Sequence, residues 1–255
     1  MITVEHLTKT FKISRQQRRE MGRGFSGKTI DAVRDVSFTC RPGRVFTLLG
    51  PNGAGKTTAL RLIATMLRPS SGTITVGGVD VVENPVEVRK RMGFLTGNTG
   101  LYDRLTPDEM VKYYADLHGM ETGAYKLRRD EIYTLLGIHE FAGRRIGKLS
   151  SGMKQKVSLA RTIIHDPDVV VFDEPTAALD VVASRSIIQI IKDCRAKGKT
   201  VIFSTHRMGE VSLLSDDLAI LHRGGLIFNG TYKDFQSQMQ AESVEDEFVR
   251  LVEGS

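Results

Sequence analysis

Cysteine is scarce: Cys40 and Cys194 are the only two in 255 residues. They fit no metal or redox spacing, which reads as reduced thiols in a cytosolic chain. No apolar run approaches the roughly 20 residues needed to cross a bilayer, so any membrane role requires another chain to do the crossing. The opening, Met1-Ile2-Thr3-Val4-Glu5-His6, lacks both the basic flank and the apolar run of a signal peptide. Much of the net charge of +6 comes from Arg15, Arg18, Arg19, Arg23 and Lys28, opposed by Glu20 alone. These charges are not interleaved with aromatic rings in the manner of a stacking platform, and no nucleic-acid partner is expected. A solvated loop is the plain reading of this segment, with phospholipid headgroups or an acidic loop of a partner as alternatives.

With 40% hydrophobic and 26% charged residues, the chain has the composition and length of one large α/β domain, or of a core with a subdomain. Ile2 to Leu7 alternates like an edge strand, and Val33 to Phe38 does the same before the turn Arg41-Pro42-Gly43. The polar stretch from Lys12 to Asp31 between them reads as a hairpin extension or inserted loop. Thr73 to Val76 and Val79 to Val81 flank Gly77-Gly78, a hairpin signal. Met92 to Leu95 is a short apolar strand. From Thr106 to His165 the pattern is helical, and strands resume at Val169, Thr200 and Leu218 with helices from Val181 to Ala196 and near Arg207 to Leu214. Alternating βα units imply a largely parallel, covered sheet. The tail from Asp234 to Val252 is amphipathic and is expected to pack on the core or on a partner.

One stretch carries specific chemistry. Gly50-Pro51-Asn52-Gly53-Ala54-Gly55-Lys56-Thr57-Thr58 fits the P-loop pattern and lies between a buried-strand run, Arg44 to Leu49, and a helical one, Ala59 to Ala64. The glycines permit backbone conformations that turn successive N–H groups around a polyphosphate. The following helix adds its positive end. Lys56 supplies charge for β- and γ-phosphates, and the Thr57 hydroxyl can ligate Mg²⁺.

Three further groups fall at strand or helix ends. Val169 to Phe172 leads into Asp173-Glu174, read as a Mg²⁺-holding aspartate and a water-polarising glutamate, with a solvated turn as the alternative. His206 ends the next buried run, where it can reach a γ-phosphate. Ser150 stands as N-cap before the helix starting near Lys154, whose free N–H groups form a second anion site. Lys154 and Lys156 sit at the unfavourable end of that helix dipole, a local cost that suits a neighbouring phosphate. Phe11 is a lone aromatic at a strand end, either a core residue or a platform for an adenine ring.

In this order (Phe11, the P-loop Gly50 to Thr58, Leu149-Ser150-Ser151-Gly152-Met153, Asp173-Glu174, Ala177-Ala178-Leu179-Asp180, His206) the chain resembles the ATP-binding subunit of ABC transporters, from Ile2 to about Tyr232. The resemblance implies a P-loop NTPase with a RecA-like core, an antiparallel β subdomain and an inserted helical subdomain. The core would comprise residues 1–96 and 166–232, with a basic hairpin loop at about 12–31. The signature subdomain would be 97–165 and the helical tail 233–255. It implies ATP and Mg²⁺, the ion on Thr57 and Asp173. Phe11, Gly50, Pro51, Asn52, Gly53, Ala54, Gly55, Lys56, Thr57 and Thr58 would bind ATP, with Lys56, Glu174 and His206 catalytic. Ser150 and Gly152 would face the ATP of a second copy, or of a paralogue, in a head-to-tail dimer. A polytopic permease at the cytoplasmic face of the membrane is the implied partner. Phe94 to Asn98 and the run Ser150 to Lys156 look like the NatA-type branch, sodium-extruding and related export ATPases. Departures from the family pattern are Gly97 (beside Asn98) where glutamine is usual, Ser151 for glycine, Met153 for glutamine and Ala177 for serine. They bear on coupling more than on nucleotide binding. The competing expectation is an ABC ATPase that works without a permease, such as an iron–sulfur assembly factor.

Overall fold

The computed structural model describes residues 1–14, 27–96, 100–177, 179 and 181–254. Most of the basic segment, with Arg15, Arg18, Arg19 and Arg23, therefore lies outside the described residues, as do Gly97, Asn98, Ala178 and Asp180.

The chain opens with two long strands, β1 (Ile2–Lys12) and β2 (Thr29–Cys40). They are followed by a fully buried strand, β3 (Val45–Leu49), and a helix, α1 (Lys56–Ile63). Next come β4 (Ser71–Val76), β5 (Val79–Asp80), a short helix α2 (Pro85–Lys90) and β6 (Met92–Thr96). Helices α3 (Pro107–Leu117), α4 (Thr122–Leu136) and α5 (Ser151–Ile163) follow, with short 3₁₀ turns between the last two. The chain then returns to β7 (Val169–Asp173), α6 (Val181–Ala196), β8 (Thr200–Thr205), α7 (Met208–Leu214), β9 (Asp217–His222) and β10 (Gly225–Thr231). It ends in α8 (Tyr232–Gln238) and α9 (Val244–Glu253).

Two sheets result. The central one runs β10-β9-β3-β8-β7-β6, parallel except for β10, which returns antiparallel along β9. Strands β3, β7 and β8 are buried at every position, as a parallel sheet covered on both faces requires. The second sheet, β2-β1-β4-β5, is antiparallel throughout. Here β1 pairs on both sides and is not the edge strand its alternation suggests. Its pairing with β2 continues to Lys12↔Thr29, which narrows the loop expected over 12–31. The stacked rings of Phe38 and Phe46, 4.8 Å apart, join the two sheets.

Ala59, Leu60, Leu62 and Ile63 of α1 are buried in the core shared by the two sheets, each larger side chain contributing about 1.5–3 kcal/mol. A second core lies among α3, α4, α5 and the opposite side of the central sheet, with Tyr133 its largest fully buried side chain. The tail closes a third. Phe235 is buried against Leu49, Val211 and Ile220, and Val244, Phe248 and Leu251 pack there too. The tail thus covers the core of its own chain. Burial pushes the Cys194 thiol up to about 11 and the Cys40 thiol up as well, so both behave as small apolar side chains without thiolate reactivity.

Candidate functional site

Parallel pairing sets the geometry. Strand β8 lies between β3 and β7, with Leu49 opposite Thr205 and Asp173 opposite Ser204. The loops leaving β3, β7 and β8 therefore emerge side by side at the carboxyl edge, where open α/β sheets bind ligands.

The first of them is the P-loop, and two of its glycines have steric reasons to be there. A Cβ on Gly50 would lie 2.4 Å from the Leu221 carbonyl oxygen, and one on Gly55, whose φ is 106°, would lie 2.2 Å from that of Ala32. The loop is braced from outside by the β9–β10 turn, since the Gly224 N–H donates to the Ala54 carbonyl at 3.0 Å. The start of α1 differs from those of α3, α8 and α9. Those helices are capped by Thr106, Thr231 and Ser243 and carry acids in their first turns. Helix α1, like α4, has no side-chain cap and no first-turn acid, but α1 follows the glycine loop beside the buried Lys56, so its leading N–H groups and dipole suit an external anion there.

Lys56 is buried, with Nζ donating to the carbonyls of Gly50 (2.7 Å) and Pro51 (3.2 Å) and standing 3.2 Å from Glu174 Oε1. The other Glu174 oxygen is 3.3 Å from Nδ1 of the half-exposed His206. Thr57 Oγ1 donates to Asp173 Oδ1 at 3.0 Å, and Ser204 Oγ donates to the same oxygen at 2.8 Å while accepting the Glu174 N–H at 3.0 Å. Glu174 adopts φ 47°, a left-handed conformation that costs a non-glycine residue about 1–3 kcal/mol. It turns the carboxylate from the strand end toward Lys56. A cleft of about 190 Å³ lies over this group, lined by Asn52, Gly53, Lys56, Thr57, Thr58 and Glu174, among others.

The residues present suit a nucleotide with Mg²⁺. The uncapped helix and buried ammonium match a polyphosphate. Thr57 and Asp173 offer the hard oxygen donors that Mg²⁺ takes, one or two from the protein and the rest from phosphate and water. Among the described residues no cluster of three His, Cys, Asp or Glu side chains forms a self-sufficient metal cage.

The structure brings Gly50 to Thr58, Asp173, Glu174 and His206 together and leaves three candidates apart. Phe11 lies near the end of β1 opposite Ile30, 36% exposed, with Lys9 Nζ 5.2 Å from its ring centre. That exposure removes the core alternative. Ser150 and Gly152 do not line the cleft of their own chain. Ser150 Oγ accepts the Met153 N–H at 3.3 Å as N-cap of α5. Lys154 is not unopposed at this helix start, for its Nζ is 3.3 Å from Asp103. Gln155 ties α5 to the loop after Glu174 by donating to the Pro175 carbonyl at 3.2 Å.

Sequence reasoning passes over Ser204, Gln155, Gly224 and Glu210. The only signal for Ser204 is a pair of hydroxyl residues, Ser204-Thr205, closing an apolar strand. Nothing in the sequence marks the other three: Gln155 and Gly224 make their contacts far along the chain, and Glu210 joins nearby Thr205 and Arg207 to Thr176, 34 residues away.

The family model described as ABC transporter matches residues 33–177. The chain is 43% identical to the ABC transporter ATP-binding protein NatA of Bacillus subtilis (strain 168), over 89% of this chain and 93% of that one. It is 32% identical to the linearmycin resistance ATP-binding protein LnrL of the same organism, over 89% and 73%. A solved ATP-binding subunit of an ABC transporter superposes with a TM-score of 0.85 at 25% identity, covering 98% of this chain and 99% of that one. The dimeric bacterial cassette MJ0796 shares the fold, with a TM-score of 0.79 at 24% identity over 91% of this chain and 98% of that one. The chain therefore belongs to the ABC transporter ATP-binding family and is an ATP-hydrolysing P-loop NTPase, the ATP-binding subunit of such a transporter.

Proposed function

We propose that two copies of this chain, or one copy and a paralogue, close head-to-tail around ATP on the cytoplasmic face of a membrane and drive export through a separate polytopic permease. The observation that carries the reading is the run of contacts from Lys56 through Glu174 to His206 above an uncapped helix, built on three neighbouring strand ends. Among the described residues no helix is long and apolar enough to cross a membrane, so on this reading the transport path belongs to the partner. Likeness to NatA and to a protein named for linearmycin resistance supports export, with sodium, another ion or a drug as cargo.

In this account the backbone N–H groups of Gly53 to Thr58 wrap the β- and γ-phosphates, and Lys56 transfers its attraction from Glu174 to the γ-phosphate. Release from Lys56 leaves the Glu174 carboxylate to accept a proton from the attacking water, while His206 on its other oxygen keeps it aimed at that water, which attacks the phosphorus. Thr57 and Asp173 would hold Mg²⁺, which when bound neutralises charge on the transferring phosphoryl. Phe11 stacks on the adenine ring. Ser150 and Gly152 present the start of α5 to the phosphate held by the partner copy, supplying the anion site that their own cleft does not use. ATP closes the pair, and hydrolysis with product release reopens it.

The test pairs turnover with capture. Wild-type protein should hydrolyse ATP, Lys56→Ala should lose ATP binding, and Glu174→Gln should bind without turning over. Tagged Glu174→Gln protein held with Mg²⁺ and ATP should retain a stoichiometric polytopic protein from detergent-treated native membranes. Turnover with only soluble partners retained would favour the permease-free ATPase.

A further inference from the structure

A buried carboxylate beneath the site joins the two loops that carry Glu174 and His206. Glu210, on α7, is 6% exposed, and Thr176 and Thr205 beside it are as deeply buried. Its Oε1 accepts from Thr176 Oγ1 and lies 3.2 Å from the Arg207 guanidinium, while its Oε2 accepts from Thr205 Oγ1 at 2.7 Å. Thr205 Oγ1 in turn accepts the Arg207 N–H at 3.0 Å. Thr176 is two residues beyond Glu174, and the Ala177 N–H folds back to the Glu174 carbonyl at 3.1 Å. Thr205 immediately precedes His206. Hydroxyl-to-carboxylate bonds are short and strong, and a carboxylate this buried tolerates loss of a partner poorly. Glu210 therefore fixes the distance between the two loops as no apolar side chain would, since van der Waals contact carries no direction. Glu210 does not itself line the cleft.

We infer that Glu210 is a positioning residue for hydrolysis, a clasp through Thr176 and Thr205 that holds the Glu174–His206 pair in register. The inference rests on the roles proposed above for those two residues. Because the clasp acts on the water side of the site and not on the P-loop, its loss should lower kcat and leave ATP affinity alone. A misplacement of this kind costs roughly 10- to 100-fold.

The experiment measures steady-state ATP hydrolysis by full-length protein, with thermal melting to confirm folding, for Glu210→Gln, Thr205→Val, Thr176→Val and the conservative Thr205→Ser and Thr176→Ser. Expected are a lowered kcat with KM for ATP within about twofold for Glu210→Gln and both valine variants. The serine variants should recover near-wild-type rates, and Glu210→Gln combined with Thr205→Val should cost little beyond either change alone. Should Glu210→Gln fail to fold, the Val and Ser pairs carry the same comparison. A wild-type kcat in Glu210→Gln or in the valine variants, a KM rise matching the kcat loss, or serine variants as impaired as valine would overturn the inference. Glu174→Gln in the same series separates the layers. If it is inactive while Glu210→Gln turns over normally, only the clasp is lost. If Glu174→Gln itself turns over ATP normally, the site assignment falls and takes the clasp with it.

Discussion

At Gly55 a left-handed φ of 106° and the nearby Ala32 carbonyl leave no space for a side chain. Gly55→Ala should lower stability by at least about 1 kcal/mol and weaken ATP binding as the loop shifts, measured by melting and by nucleotide titration. A matching change at Gly53, whose Cβ would meet nothing within 4 Å, still meets strain from its φ of 81° but no clash, and should cost less. Glu174→Gln keeps the size of the side chain and removes its basicity, so kcat should fall on the order of 100-fold or more with binding retained. Single-turnover and equilibrium-binding measurements separate the two effects. The residues of the cleft were legible because each ends a recognisable run. Lys56 and Thr57 start a helix after a glycine loop, Asp173-Glu174 ends a run of Val and Phe, and His206 follows Val201-Ile202-Phe203 after two hydroxyl residues. Glu210 and Ser204 were not legible, since each makes a contact about 30 residues away, to Thr176 and to Asp173, that no local pattern reports.

Helix ends show the division between elements built for stability and those left open. Thr106 and Glu109 form a reciprocal capping box at the start of α3. Thr106→Ala should cost about 1 kcal/mol in melting free energy without altering ATP affinity. Behind α3, the rings of His118 and His165 stack with centres 3.6 Å apart. His165 Nε2 donates to the Met92 carbonyl at 3.3 Å, and its buried Nδ1 has no partner. Burial first, then the neighbouring His118 and Lys199, pulls His165 down to about 4 from an ordinary 6.5, against the opposing pull of the Met92 carbonyl and Asp166. A histidine lowered in the folded state contributes stability that is complete above about pH 6.5 and is lost as pH falls toward about 4. The melting temperature should drop over that window, and His165→Gln should flatten the curve; an unchanged pH profile in that variant would contradict the assignment. Element type was readable from period, but edge position was not. The alternation of β1 reports one buried face and says nothing about which backbone edges are paired. Strand β10 escaped for a related reason, being half-buried along its length with glycines near both ends, and α2 buries only Val88.

At the scale of the whole molecule, the proposed function makes the cleft and the start of α5 two halves of a site that closes only between two copies. Ser150 caps its own helix, is exposed and does not line the cleft of its own chain. The account therefore makes dimerisation depend on nucleotide, with ATP as the bridge between Lys56 of one copy and Ser150 and Gly152 of the next. The deciding measurement is the solution mass of Glu174→Gln protein by sedimentation, with Mg²⁺ and ATP, with ADP, and with neither. The account predicts a 28.3 kDa monomer without nucleotide or with ADP, twice that mass with ATP, and no doubling when Lys56→Ala is added. A protein that stays monomeric at saturating ATP, or is equally dimeric without it, would contradict the shared site at the centre of this account.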